Sequence, residues 1–305
     1  MLPLPPESTD ELHLADWLEL RAILADDHNS SFGDLERVLT RAATFDGKSE
    51  ALENKLADVS KEIEQRARAA GQGYPFSNSG SGLEVSAQID DSSYIFCLCL
   101  SYATWNQPRG SKVHPSRIFE SLAAEAAKTY IDCGNGAASS LRFGSPRVDP
   151  LPKSFREAVN RLCIDHIGEG GGWPPTKVCT PNLRPKDGGL DLVAWREWPD
   201  KLPGKIMLWG ACATGADWES KTRDLTLSTF TGEWLATQPI TPIIRAFFVP
   251  HRIHADRWSL VARNAGLVFE RCRIASLVNT IPPDASIHGN AAEWLQGVLT
   301  RLRNS

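Results

Sequence analysis

A chain of 305 residues, 42% hydrophobic and 23% charged, has the make-up of an ordinary globular protein, long enough for one large domain or for a core domain carrying a smaller module. Its net charge of -4 and pI near 6.0 exclude the global basic footprint of a protein that coats nucleic acid, though a local basic groove is compatible with both. No apolar run approaches the roughly 20 residues of a membrane span, MLPLPPESTDE lacks the pattern of a signal peptide, and seven cysteines without C-x-x-C spacing read as reduced thiols, so a cytoplasmic protein with no membrane partner is expected.

In chain order, Ser8 and Glu11 stand at capping-box spacing before an apolar-periodic helix through Leu12, Trp17, Leu18 and Leu24. A second helix is predicted from Asp34 to Ala43. The third is the clearest, because Leu52, Leu56, Val59, Ile63 and Ala70 recur at helical steps with charges opposite; it has too few heptads for a coiled coil and should dock on its own domain. Residues 71–82 are turn-rich and pass for a linker. Tyr94 to Tyr102 is almost wholly apolar, which fits a buried strand or a buried helix segment equally. The apolar pattern breaks near Thr104 to Ser111, which divides a mainly helical N-terminal region, residues 1–110, from a core domain, residues 111–305.

The core domain opens with a helix from Pro115 to about Ile131, its apolar arc of Ile118, Phe119, Leu122, Ala123, Ala126 and Tyr130 flanked by Glu120 and Glu125. Ser154 to Ile167 forms another helix. The glycines that follow lack both the preceding strand and the trailing Lys-Ser/Thr of a phosphate loop, and read as a C-cap and loop. Two apolar runs, Leu190 to Trp195 and Ile206 to Trp209, flank a Pro- and Gly-bearing connector and predict a strand pair. Asp191 stands near the start of the first, and a carboxylate in an otherwise apolar strand must be paired, hydrogen-bonded or bound to a metal. Asp217 to Lys221 reads as the start of a helix, Pro242 to Val249 as a strand, Trp258 to Ala265 as a helix, Leu267 to Leu277 as a strand with Arg271 and Arg273 on one face, and Ala291 to Leu302 as a closing helix. Five arginines, Arg252, Arg257, Arg263, Arg271 and Arg273, make the last third the most cationic stretch. His251 and His254 have metal-like spacing but no third ligand nearby, and read as loop histidines.

Glu120 on a helix, Gly188-Gly189-Leu190-Asp191 entering one strand, and a second strand from Ile206 to Ala213 resemble the restriction-endonuclease-like, or PD-(D/E)XK, nuclease superfamily. In that family a helix carries a glutamate, one core strand an aspartate, and the next a Glu or Gln, one residue, and a Lys. The last two positions fall here on Ala211 and Ala213. The resemblance implies an α/β fold, a mixed central sheet flanked by helices with a helical N-terminal region attached. It implies a Mg2+-dependent DNA nuclease, the effector of a restriction or phage-defence system that can include a second protein subunit. Glu120 and Asp191 would hold the metal. For the missing lysine Lys221 is the first choice and Lys186 the second; Lys205 lies roughly 20 Å along the strand from Ala211 and cannot serve. Arg271 and Arg273 are the expected phosphate contacts. The rival reading is the same fold without chemistry, binding nucleic acid or a partner.

Overall fold

The computed structural model describes residues 2, 4, 10–42, 49–102, 114–175, 188–282 and 285–304; Ser8 and the boundary expected at 104–111 lie outside them. Helix α1 (Glu11–Leu24) is capped by Asp10, whose carboxylate accepts from the backbone N–H groups of Leu12 and His13. Strand β1 (Asn29–Ser31) runs directly into α2 (Phe32–Arg41), where Ser31 and Asp34 form a reciprocal capping box. In α3 (Glu50–Ala70) the periodic residues Leu52, Val59, Ile63 and Ala70 are buried as their spacing predicts, whereas Leu56 is only half-buried and the charged Glu62 and Arg66 are buried as well. The stretch that passes for a linker is instead β2 (Phe76–Asn78) and β3 (Gly82–Val85), which join β1 in an antiparallel sheet of order β1-β3-β2. Strands of three and four residues are too short to display an alternation that sequence could reveal. The apolar run settles as a helix, α4 (Ser93–Tyr102), buried from Ser93 through Ser101.

Next come α5 (Pro115–Asp132), β4 (Ala138–Arg142), α6 (Phe155–Asn160) with a π-helical continuation to Ile167, β5 (Leu192–Arg196) and β6 (Met207–Cys212). A short 3-10 turn, Trp218–Lys221, precedes α7 (Leu227–Trp234), β7 (Ile244–Phe248), α8 (Ala255–Ala265) and β8 (Leu267–Phe269). Arg271–Leu277 is helix α9 and Ala285–Asn304 is α10. The strand expected from Leu267 to Leu277 therefore ends after three residues, where the Glu270 carboxylate accepts from the N–H groups of Cys272 and Arg273 and starts a helix. The architecture is mixed α/β. No described helix is long and apolar enough to cross a membrane.

The chain forms two compact units, and they are not the expected pair of consecutive segments. One comprises residues up to Pro115 together with Pro250–His254 and Glu270–Ser305; the other comprises Ser116–Val249 and Ala255–Phe269.

The second unit is built on a five-stranded mixed sheet of order β4-β5-β6-β7-β8. β4 pairs antiparallel with β5 and β5 with β6, whereas β6, β7 and β8 run parallel, with α7 and α8 in the crossovers. Leu192, Val193 and Ala194 are completely buried, so β5 is covered on both faces. Phe143, Phe155, Trp209 and Phe230 meet edge to face, with centroid separations of 5.2 to 6.3 Å. Tyr130, expected on the apolar arc of α5, is 51% exposed.

The first unit encloses an ion-pair network. Arg66 on α3, wholly buried, donates to Glu62 at 2.7 Å, Asp16 at 2.7 Å, Glu19 at 2.9 Å and the Leu12 carbonyl at 2.8 Å. Arg271 also pairs with Asp16 and lies over the Tyr94 ring at 5.0 Å; Arg252 bridges Glu62 at 3.0 Å and Glu270 at 2.9 Å. Burial alone would raise the Asp16 carboxyl, but Arg271 and Arg66 overcome it and hold Asp16 at about 2. For Glu19 burial wins: its carboxyl is raised despite Arg66 and Arg271. Asp16 therefore contributes stability that is complete above its ordinary 3.8 and is lost as pH falls towards 2. Glu19 acts oppositely, contributing most below its ordinary 4.5 and losing that contribution as pH rises through its raised value. Urea midpoints of the wild-type protein should fall steeply on acidification through the Asp16 window, and Asp16→Asn should flatten that limb while lowering stability at neutral pH. An unchanged acid limb in the variant would remove Asp16 as its source.

Candidate functional site

Asp191 sits immediately before β5, fixed by backbone bonds on both sides. Its N–H donates to the Gly210 carbonyl at 2.9 Å, and its own carbonyl accepts from Phe143 at 2.6 Å and Gly144 at 2.9 Å. The approach needs glycine, since at Gly189 φ is +79° and a Cβ would stand 2.6 Å from the Asp224 carbonyl oxygen. Asp191 Oδ2 accepts the Cys212 N–H at 2.7 Å, where β6 ends, and this orients the carboxylate.

Glu120 reaches the same place from α5. A Cβ built on Gly144 would lie 2.6 Å from Glu120 Oε2 and 3.1 Å from Asp191 Oδ1, so the two carboxylates face one small space that only a glycine leaves open. Glu125, the other edge acid of α5, instead pairs with Lys128. Arg142, the last residue of β4, places Nη1 2.6 Å from Glu120 Oε2, and only 9% of its side chain and 13% of that of Glu120 are exposed. Cys212 completes the group. Burial pushes its thiol well above the ordinary range, and the charges of Asp191 and Glu120 push it further against the opposing effect of Arg142. At neutral pH it is a thiol, neither a nucleophile nor a thiolate ligand.

The structure thus brings Glu120 and Asp191 together. It does not bring the other expected residues to them. Lys221 is half exposed and pairs with Asp224 at 3.9 Å. Lys186 lies outside the described residues. Arg271 is wholly buried in the network of the first unit, and Arg273, expected on the same strand face, is an exposed residue of helix α9. Ala211 and Ala213 are buried at 6% exposure each and bring no charge. His254 bonds Asp10 at 2.8 Å, and among the described residues no group of three or more His, Cys, Asp or Glu side chains is arranged to hold a metal ion.

No known protein family, curated protein or solved structure matches this chain. The site's chemistry therefore rests on its own geometry. Sequence reasoning passed over Arg142 and Cys212. Nothing local in Leu141-Arg142-Phe143 signals that the arginine turns to Glu120, and Cys212 stands between two alanines with no charged neighbour in sequence to mark it. A shallow surface depression of 270 Å³ bordered by Leu227, Thr231, Gln238 and Ile240 includes none of these residues.

Proposed function

We propose that this chain is a divergent metal-dependent DNA nuclease with a restriction-endonuclease-like core, in which Glu120 and Asp191 hold Mg2+. The observation that carries the reading is the convergence of the two carboxylates, remote in sequence, on the space above Gly144. The donor set suits the ion, because Mg2+ takes hard oxygen ligands, usually one or two carboxylates, and retains several waters. Bound there, it would polarise a phosphoryl oxygen and lower the pKa of an attacking water.

The protein's own contribution is to hold two oxygens in a fixed relation. Backbone bonds from β6 and from Phe143 and Gly144, just after β4, position Asp191, and α5 carries Glu120. The resemblance extends the reading to the effector of a restriction or phage-defence system, with DNA as substrate and a second subunit as partner. The Cys212 thiol, pushed up by burial and by the neighbouring acids, adds no charge to the site at neutral pH. The alternative, a scaffold of the same fold without chemistry, is favoured by Ala211 and Ala213, which supply neither carboxylate nor ammonium.

The test is cleavage of plasmid and linear DNA by the purified full-length protein in Mg2+, with and without chelator. Cleavage that requires the metal supports the nuclease; DNA binding without cleavage in any divalent metal favours the scaffold. Gly144→Ala offers a sharper probe, since its methyl must displace the flexible end of Glu120. It should lower cleavage on the order of 100-fold, the scale on which slight misplacement of a catalytic group acts, with little change in thermal midpoint. Wild-type activity in that variant would show that the space above Gly144 is not the site.

A further inference from the structure

One oxygen of the Glu120 carboxylate, which the preceding reading assigns to a divalent ion, already has a cation on it. Arg142 Nη1 donates to Glu120 Oε2 at 2.6 Å, and it is this same oxygen that lies 2.6 Å from the point a Gly144 Cβ would occupy. The guanidinium also has a second anchorage independent of Glu120, for Nη1 donates to the Gly144 carbonyl at 3.1 Å and Nη2 to the Pro146 carbonyl at 2.7 Å. Two described lysines are engaged elsewhere: Lys205 Nζ donates to the Ile167 carbonyl at 2.6 Å and pairs with Glu197 at 2.7 Å, and Lys221 pairs with Asp224.

A carboxylate oxygen that accepts a short, charge-assisted bond has much of its electron density committed, and ligation of a divalent ion by the same oxygen competes with that bond. A guanidinium, unlike an ammonium, has five donors in a planar fork, so losing one acceptor does not release it. We propose that Arg142 is an exchangeable counter-ion. It neutralises Glu120 when no divalent ion is present, yields that oxygen when one binds, and, still tied to the Gly144 and Pro146 carbonyls, offers the freed N–H donor to a phosphate at the site. It thereby takes the part that the resemblance gives to the absent lysine. The proposal rests on the reading of Glu120 and Asp191 as metal ligands, and it predicts effects of opposite sign from one substitution: without Arg142 the ion binds more tightly and cleavage slows.

Two measurements on the full-length protein separate these effects. The first is calorimetric titration with Mg2+ and with Mn2+ in the absence of DNA; the second is single-turnover DNA cleavage at saturating metal. Arg142→Ala should bind the ion about tenfold more tightly, the scale of one hydrogen bond between charged groups. It should cleave on the order of 100-fold more slowly, as expected for loss of one donor to developing charge. Arg142→Lys should restore part of the cleavage, and it provides the reading if the alanine variant does not fold. Unchanged or weaker ion binding by a folded Arg142→Ala protein overturns the exchange, the weaker result marking Arg142 as a support for Glu120. Tighter ion binding with no cleavage by any form, wild type included, upholds the exchange and rejects the nuclease. Absence of any ion binding by the wild-type protein rejects both.

Discussion

Asp191→Asn is expected to remove Mg2+-dependent DNA cleavage, by on the order of a thousandfold or more, while leaving the fold intact. Asparagine has the shape of aspartate, and the bonds that fix this residue to Gly210, Phe143 and Gly144 are all made by its backbone. The side-chain carbonyl would keep the bond from the Cys212 N–H. Its amide nitrogen would then face Glu120, presenting a donor where an ion needs an acceptor. Loss of metal-derived charge stabilisation amounts to several kcal/mol in the transition state, and each 1.36 kcal/mol is tenfold in rate. Thermal unfolding and circular dichroism should match the wild type. A variant that cuts DNA at the normal rate would falsify the assignment of Asp191 as a ligand.

Arg66→Met should produce the largest loss of stability of any substitution considered, about 3–5 kcal/mol. The guanidinium is inaccessible to water and serves Asp16, Glu19 and Glu62 together with the Leu12 carbonyl. Removing it leaves acids with too few partners in a medium that solvates them poorly, and the penalty for such orphaned charge exceeds the net worth of the pair that was broken. Arg66→Lys keeps the charge but loses the fork that reaches several acceptors at once, and should fall between. Because the chain has two compact units, unfolding should be followed with probes in each and not by a single midpoint. If the transition of the first unit is unmoved in Arg66→Met, the network does not hold that unit together.

Features governed by local periodicity were legible. Helix α3 buries four of the five residues its spacing marks, the Ser154–Ile167 helix ends at a left-handed Gly168 as the glycine run predicts, and two apolar runs became neighbouring strands β5 and β6. The carboxylate pair was half legible. Asp191 stood out as an acid in apolar surroundings, but Glu120 is one edge acid among two on α5, and only tertiary contact separates it from Glu125. Illegible features all depended on distant partners. Arg271 looked like a surface cation because its partner Asp16 lies at the other end of the chain, and the helix in which it sits is started by the side chain of Glu270 after an apolar tripeptide that reads as strand. Arg142 was unremarkable for the same reason: its acceptor belongs to a different element.

The division of the first unit among three stretches of chain bears on its birth at the ribosome. Asp16, Glu19, Glu62 and Arg66 are synthesised early, whereas Arg252, Glu270 and Arg271, which complete their network, come from Pro250–His254 and from the segment that begins at Glu270. An amino-terminal portion released from the exit tunnel therefore holds three acids and a single arginine of that network, an unbalanced set until the residues from Arg252 to Arg271 have emerged. The intervening residues, Ser116–Val249, contain β4 to β7 and both carboxylates of the site, and their contacts are available first. Vectorial synthesis thus favours an order in which the inserted unit gains structure while the unit that encloses it in sequence waits for Pro250–His254 and the stretch that begins at Glu270. Premature termination before Glu270 would yield a chain that retains Glu120 and Asp191 but can never assemble the interior of its own amino-terminal unit.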